Sequence, residues 1–318
     1  MQDVLTIDDI RAAAARIAPH VRRTPVMRCP DLDAELGAEI HFKCENFQEM
    51  GAFKLRGASN ALLSLPRRAL ERGVATHSSG NHGAALALAA RRSGVPACVV
   101  MPENSSAFKQ RAVGGYGARI VFCAPTQAAR EQALAHYVEE TGATVIHPYN
   151  DTRIMAGQGT AALELLQEVP HLDLVLAPLG GGGLLSGTAV ATRALAPQAR
   201  VVGAEPTGAD DAWRSLRAGS ITPVAKPDTV ADGLRATIGP LTFAVIRATV
   251  DEVVRVDEAD IVAAMRYVWE HMKIVIEPSA AVPVAALRRR LVEMSGRRVG
   301  VILSGGNVDL DQLPWSKR

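Results

Sequence analysis

One pattern recurs along most of the chain. A short apolar run, rich in β-branched residues, leads into a turn of glycine and small polar residues, and an alanine-rich stretch of helical length follows. Strands that alternate with helices in this way pair in parallel, because the intervening helix carries the chain back to the same end of the sheet. Strands are expected at 40–45, 73–78, 97–101, 118–123, 144–147, 172–179, 200–205, 254–256 and 299–303. The first helix is expected from Thr6, a good N-cap with Asp9 three residues on. Later helices are expected through Arg91, over 106–114, 126–140 and 158–167, after the glycines at 180–183, after 205, and up to Met272. The expected class is α/β: two open parallel sheets with helices on both faces. A length of 318 residues suits one large domain or two ordinary ones. The strand–helix units between Gly73 and Pro148 form a small inserted domain, 73–148, in this reading. Residues 1–72 and 149–318 then form a large domain, with a cleft between the two.

Composition excludes several classes. Lysine and arginine number 35 against 33 acidic residues, a net charge of +2, and the basic residues are scattered. Nucleic acid calls for a concentrated basic face, and only 13 residues are aromatic, so stacking platforms for bases are not expected either. Apolar runs such as Ala84 to Ala90 fall far short of a membrane span, and the first 20 residues lack a signal core. The four cysteines, Cys29, Cys44, Cys98 and Cys123, form no C-x-x-C pair. They read as reduced core thiols of a cytoplasmic protein.

Ligands of open α/β sheets sit where strands end and helices begin, and five such turns here carry unusual chemistry. Gly180, Gly181, Gly182 and Gly183 follow an apolar strand. They are either an anion cradle of backbone N–H groups at a helix start or a tightly packed turn. They match the dinucleotide fingerprint only in part, since Leu185 stands at its third glycine, and no Gly-Lys-Ser/Thr follows. Ser78-Ser79-Gly80-Asn81-His82-Gly83 opens another helix with polar groups. These suit a carboxylate or an aromatic hydroxyl, and equally a helix cap. Lys54, between Phe53 and Leu55, is either a snorkelling surface cation or a desolvated nucleophilic amine. Ser304-Gly305-Gly306-Asn307 repeats the turn pattern after a buried strand. Glu205 and Asp211 bracket a loop whose oxygen donors suit a hard divalent cation or plain solvation.

Taken together these segments resemble the fold-type II pyridoxal-phosphate enzymes, the group that includes the tryptophan synthase β-subunit. Within it, the chain is most similar to the family of serine racemase and the serine/threonine dehydratases, 3-hydroxyaspartate dehydratases included. The resemblance runs from Arg23-Thr24-Pro25 to Ser304-Gly305-Gly306-Asn307-Val308-Asp309. It takes in Lys43-Cys44-Glu45-Asn46, Ala156-Gly157-Gln158-Gly159-Thr160, Ala231-Asp232-Gly233 and 272–278. It implies that Lys54 links to the cofactor as a Schiff base, with Phe53 beside the pyridine ring. Gly180 to Gly183 would cradle the phosphate, Asn81 the phenolic oxygen, and Ser304 the pyridine nitrogen. Glu277 lies in a cofactor-facing segment. Ser79 would face the substrate from the side opposite Lys54. Ser78, Ser79, Gly80, Asn81 and His82 would hold the substrate carboxylate, and Arg130 matches a position that contacts substrate in racemases. Glu205, Ala209 through its carbonyl, and Asp211 match a divalent metal site for Mg²⁺, Mn²⁺ or Ca²⁺.

The implied reaction is α,β-elimination from a β-hydroxy α-amino acid of the L-serine or L-threonine type, giving a 2-oxo acid and ammonia. Dehydration of 3-hydroxyaspartate and serine racemisation are the alternatives. A homodimer acting on a small amino acid is implied, without nucleic acid or membrane. Two departures stand out. Ala52 replaces the usual serine before Phe-Lys, which favours an acidic substrate. Glu49-Met50 replaces a Lys-Thr pair of animal serine racemases near their ATP site, although Lys109 and Tyr116 still match there, so ATP activation is not expected. Isoleucine feedback is not expected either, since no regulatory domain follows Asp309. Outside this class, a non-catalytic binder of a phosphorylated ligand remains open, and the broken glycine fingerprint disfavours a nicotinamide dehydrogenase. His20, His41, His136, His171 and His271 are read as surface or capping residues. His147-Pro148 ends a strand near the cleft, and Trp315 packs on the body or on a partner subunit.

Overall fold

The computed structural model describes residues 5–78 and 80–316. Its strands are β1 (Val26–Met27), β2 (Glu39–Cys44), β3 (Val74–His77), β4 (Ala97–Pro102), β5 (Arg119–Cys123), β6 (Thr144–Val145), β7 (Leu174–Pro178), β8 (Arg200–Pro206), β9 (Glu252–Val256) and β10 (Arg298–Leu303). The helices through the middle of the chain are α1 (Ile7–Ile17), α2 (Pro30–Leu36), α3 (Lys54–Leu63), α4 (Arg67–Glu71), α5 (Asn81–Arg92), α6 (Ala107–Gly115), α7 (Gln127–Thr141) and α8 (Thr152–Glu168). Then come α9 (Gly183–Leu195), α10 (Asp211–Ala218), α11 (Pro240–Thr249), α12 (Glu258–Met272) and α13 (Pro278–Arg288).

The strands form two sheets, ordered β1-β2-β10-β7-β8-β9 and β5-β4-β3-β6. All pairings are parallel except the two-residue β1 against β2. Side chains alternate across each sheet, so each sheet feeds two apolar clusters. In the larger sheet Leu174 and Leu176 face one cluster while Val175 and Ala177 face the other. In the smaller sheet Val99 and Met101 oppose Cys98 and Val100. Strands buried on both faces read as continuous apolar runs, which is why they were legible. The four cysteines are free and buried, as expected.

Helix starts follow capping chemistry. Thr6 accepts from the Asp9 amide while Asp9 accepts from the Thr6 amide, closing a capping box. Helix α8 begins six residues before the expected 158, because Asp151 caps it by accepting from the Arg153 amide at 2.8 Å. Helix α13 has no counterpart in the sequence reading. It is buried all round, so it lacks an amphipathic stripe, and Pro283 lies inside it. His41 also departs from expectation. It sits in β2, 8% exposed, 3.5 Å from a Glu39 carboxylate oxygen. Trp315 packs on the body, edge-on to Trp269 at 5.3 Å between centroids.

Three helices cross with backbones in contact. A Cβ on Gly157 of α8 would lie 2.6 Å from the Gly57 Cα of α3, and one on Gly187 of α9 would lie 2.4 Å from the Met155 carbonyl of α8. Glycine is therefore required at both crossings, which gives the Ala156–Thr160 motif a structural reason. The same crossings bring the N-termini of α3 and α9 to one edge of the larger sheet.

A buried charge cluster fixes α3 in place. Arg56, Lys43 and Glu45 are fully buried, and Glu164 nearly so. Arg56 binds both oxygens of Glu45 at 2.8 and 2.9 Å and both oxygens of Glu164 at 2.7 and 2.8 Å. Lys43 Nζ lies 2.7 Å from Glu164, and Thr24 donates to Glu45 at 2.6 Å. Burial opposes the charge on Glu164, but the hydrogen bonds and charge of Arg56 outweigh it and hold that carboxyl below its ordinary range. Two cations balance two anions, and α3, β2 and α8 meet on them. Removing one partner of such a cluster strands the others, at a cost of about 3–5 kcal/mol. Arg56→Met is expected to lower stability by about that amount, read from the urea unfolding midpoint at constant m-value. An unchanged midpoint would show that the cluster does not hold α3.

Candidate active site

The turns singled out in the sequence converge where the two sheets face each other. Lys54 is the first residue of α3, and the turn before it is stitched to the end of β10. The Phe53 amide donates to the Ser304 carbonyl at 3.0 Å, the Gly306 amide donates to the Gly51 carbonyl at 2.8 Å, and Ala52 bridges Gly305. Gly51 adopts φ +78°, a conformation glycine supplies without strain. Lys54 is half-buried, and its Nζ donates to the Pro148 carbonyl at 3.0 Å. Burial brings its pKa down to about 8, partly offset by Glu277. Ser304 is buried at the mouth of the same strand.

The glycine tetrad lies between β7 and α9. Each glycine is crowded: an added Cβ would meet Leu234 at Gly180, the Tyr149 ring at Gly181, Thr242 at Gly182 and Tyr149 again at Gly183. Gly182 has φ +91°, and Thr242 Oγ1 donates to the Gly181 carbonyl at 2.8 Å. None of the four glycine amides donates a hydrogen bond among the described residues. Four N–H groups at the start of a 13-residue helix are thus free to meet an anion. The crowding bears out the packed-turn reading, and the open amides are compatible with the cradle.

Helix α5 supplies the third wall. Asn81, its first residue, donates to both oxygens of Glu277 at 3.0 Å and accepts from Asn307 at 2.9 Å. Glu277 caps α13, and burial, reinforced by Asp232, pushes its pKa up to about 7. Lys109 of α6 reaches Asp232 in an ion pair that crosses between the two sheets. His82 is 2% exposed. Its Nε2 lies 3.3 Å from the Ile146 carbonyl and its Nδ1 has no partner among the described residues. Burial, with Lys54 nearby, holds it well below the ordinary histidine range, so it is neutral. Ser78 Oγ accepts from the Gly80 amide at 3.2 Å, and Gly80 faces open space. Ser79 lies outside the described residues. Arg130, on α7, is half-buried, and among the described residues its one side-chain hydrogen bond is to the Thr126 carbonyl, at 3.4 Å.

The loop 147–150 is the part that sequence reasoning valued least. His147-Pro148 is read from the sequence as a strand end near the cleft, able to touch substrate, and Tyr149 is not singled out. Yet Pro148 holds Lys54, and Tyr149 covers the tetrad. Thr242 was missed too, although Pro240 one residue after Gly239 signals a helix start there.

Glu205, Ala209 and Asp211 gather at the end of β8. Glu205 Oε1 accepts from the Trp213 amide at 2.7 Å, and its Oε2 is buried without a partner among the described residues. Asp211 accepts from the Ile238 amide at 2.7 Å. Burial pushes Glu205 up to about 9 and Asp211 up to about 6. Among the described residues no three His, Cys, Asp or Glu side chains converge as a metal group; this set offers two carboxylates and a carbonyl. No helix among the described residues is long and apolar enough to cross a membrane.

Comparison with known proteins agrees with this geometry. The profile of a family described as pyridoxal-phosphate dependent enzyme matches residues 17–305. The chain is 49% identical over 311 residues to a β-hydroxyaspartate dehydratase of Paracoccus denitrificans, covering 98% of this chain and 99% of that one. It is 45% identical over 308 residues to an L-threo-3-hydroxyaspartate ammonia-lyase of Saccharomyces cerevisiae, covering 96% and 95%. Among solved structures, maize serine racemase superposes with a TM-score of 0.95 at 46% identity, covering 98% of this chain and 97% of that one. Matched by that profile over residues 17–305 and by relatives over nearly its whole length, this chain belongs to the pyridoxal-phosphate dependent enzyme family.

Proposed function

We propose that this enzyme is an ammonia-lyase that dehydrates a β-hydroxy α-amino acid to a 2-oxo acid and ammonia, and that its substrate is a 3-hydroxyaspartate. The observation that carries the reaction is Lys54, an amine with a lowered pKa held at the Pro148 carbonyl. The acidic substrate is supported by the two relatives named for hydroxyaspartate, at 49% and 45% identity, and by Ala52 before Phe53. L-serine and L-threonine turnover, and racemisation, remain the competing activities, as the serine racemase relatives indicate.

The residues fit the cofactor. The four glycine amides would hold its phosphate, Ser304 its ring nitrogen, Asn81 its phenolic oxygen, and Phe53 would line the ring. When bound it supplies an electron sink for charge that develops at Cα. A serine at the ring nitrogen leaves that nitrogen largely unprotonated, which suits prompt elimination. Lys54 Nζ would take the Cα proton; burial lowers its pKa to about 8, which leaves more of the amine unprotonated near neutral pH and so available as a base. The N–H groups and hydroxyls of Ser78 to His82 orient the substrate carboxylate, with Ser79 assigned to the opposite face. His82, kept neutral, adds no positive charge against the Lys54 amine. Residues 73–148 act as the small domain that closes over the cleft and excludes water.

Glu205, Ala209 and Asp211 would hold a divalent cation, and the unpartnered buried Oε2 of Glu205 is the feature that fits one. The same reading carries a cytoplasmic homodimer. A chelator should lower the melting temperature by a few degrees, Mg²⁺, Mn²⁺ or Ca²⁺ should restore it, and Asp211→Ala should abolish the shift. Identical melting with and without chelator would remove the cation site.

The substrate is tested by 2-oxo acid and ammonia release from L-serine, L-threonine and the 3-hydroxyaspartate stereoisomers, with chiral analysis of the remaining substrate. The expected result is a kcat/KM for one 3-hydroxyaspartate isomer at least about tenfold above that for L-serine. Preference for L-serine or L-threonine would overturn the acidic reading, and inverted remaining substrate would add racemase activity.

A further inference from the structure

A 3-hydroxyaspartate differs from serine by a second carboxylate on Cβ, and that group needs hydrogen-bond donors inside the cleft. The walls built so far do not supply them. The loop 147–150 and the end of β3 do.

His147 accepts at Nδ1 from two backbone amides, Tyr149 at 3.3 Å and Asn150 at 2.9 Å. A nitrogen that accepts two N–H groups carries no proton, so the ring proton is fixed on Nε2. His147 is thereby a neutral imidazole with one donor of fixed direction. Burial holds its pKa down to about 4, and the neighbouring His77 and Lys54 act the same way. The ring stands edge-on to Tyr149 at 4.6 Å and to His77 at 6.1 Å between centroids, so packing immobilises it. His77 directly precedes Ser78 of the carboxylate-binding turn and is half-buried. Neither His77 nor His147 Nε2 has a hydrogen-bond partner among the described residues.

Arg130 lies near enough to His77 and Tyr149 for its charge to act on both, and it forms no ion pair among the described residues. The acids nearby are engaged elsewhere. Asp151 is paired with Arg153 at 2.6 Å, and Glu131 accepts from Gln127 at 2.6 Å. One wall of the cleft, beside Lys54, therefore presents three open polar side chains, one of them cationic and one with a fixed donor.

We propose that His77 and His147, with Arg130 behind them, form the subsite for the second carboxylate of the substrate and set its preference for an acidic β-hydroxy amino acid. The proposal rests on the substrate reading given above. The fixed Nε2–H makes this discrimination a matter of hydrogen bonding. A site built to bond a group rejects the analogue that lacks it, because its own donors are then left unpaired.

The test uses cofactor-loaded protein and two inhibitors of equal chain length, succinate and butyrate, with binding read from the visible absorbance. His77→Phe keeps the ring and removes its nitrogens. His147→Asn keeps an acceptor for the two backbone amides and withdraws the donor from reach. The wild-type protein is expected to bind succinate more tightly than butyrate. Each variant is expected to lose about tenfold in succinate affinity, with butyrate unchanged, and to lose a similar factor in the kcat/KM ratio of 3-hydroxyaspartate to L-serine. A folded variant of either kind that keeps the wild-type succinate preference overturns the subsite while leaving the acidic substrate standing. A wild-type protein that favours neither succinate nor 3-hydroxyaspartate overturns the substrate reading, and the subsite with it.

Discussion

The structure turns on the buried exchange of charge among Arg56, Glu45, Glu164 and Lys43. An ion pair in the interior gains little over apolar packing, but a broken one is costly, so such a cluster specifies geometry more than it adds stability. Here the specified geometry is that of α3. Arg56 lies two residues after Lys54 and binds groups from the turn that follows β2 and from α8. Glycine crossings between α3, α8 and α9 add a second constraint, since backbones in contact leave no room for a helix to slide. Lys54 is the first residue of α3, and the glycine tetrad ends on Gly183, the first residue of α9. Their relation is therefore set by rigid helices, not by the loops that carry them.

The electrostatics of the cleft follow from burial. Lys54 and Glu277 are both pushed toward their neutral forms, to about 8 and about 7, and Glu277 partly offsets the shift on Lys54. His82 and His147 stay neutral beside the lysine. A site of this kind holds few permanent charges of its own, so charge that develops on substrate and cofactor meets oriented N–H groups. Arg130, half-buried on α7, is the exception: among the described residues it forms no ion pair.

Much of this was legible in the sequence because it is local. The strands that carry the site are buried on both faces and read as apolar runs. The turns after β7, β3 and β10 announce themselves by glycine and small polar residues. Each turn taken alone, Lys54 included, was open to a bland reading, and it was the ordered set of motifs that pointed to the resemblance. What was not legible depends on partners far apart in the chain. Pro148 meets Lys54 across 94 positions, and Glu277 meets Asn81 across 196. Lys43 and Glu45 look like the polar side of a half-exposed strand until α3 and α8 close over them. Helix α13 escaped because a helix buried on every side has no hydrophobic period to detect, and Pro283 inside it argues against a helix. His147 escaped for another reason: its meaning lies in which nitrogen accepts, and two backbone amides decide that.

The central claim is that Lys54 is the amine that engages the cofactor. The most direct test is to reduce the yellow, cofactor-loaded protein with borohydride, digest it, and locate the fixed pyridoxyl group by mass spectrometry. The account predicts one modified site, Lys54, at close to one group per chain, with the fully buried Lys43 and the ion-paired Lys109 unmodified. A pyridoxyl group on any other lysine, or protein that stays colourless with the cofactor present, would contradict it.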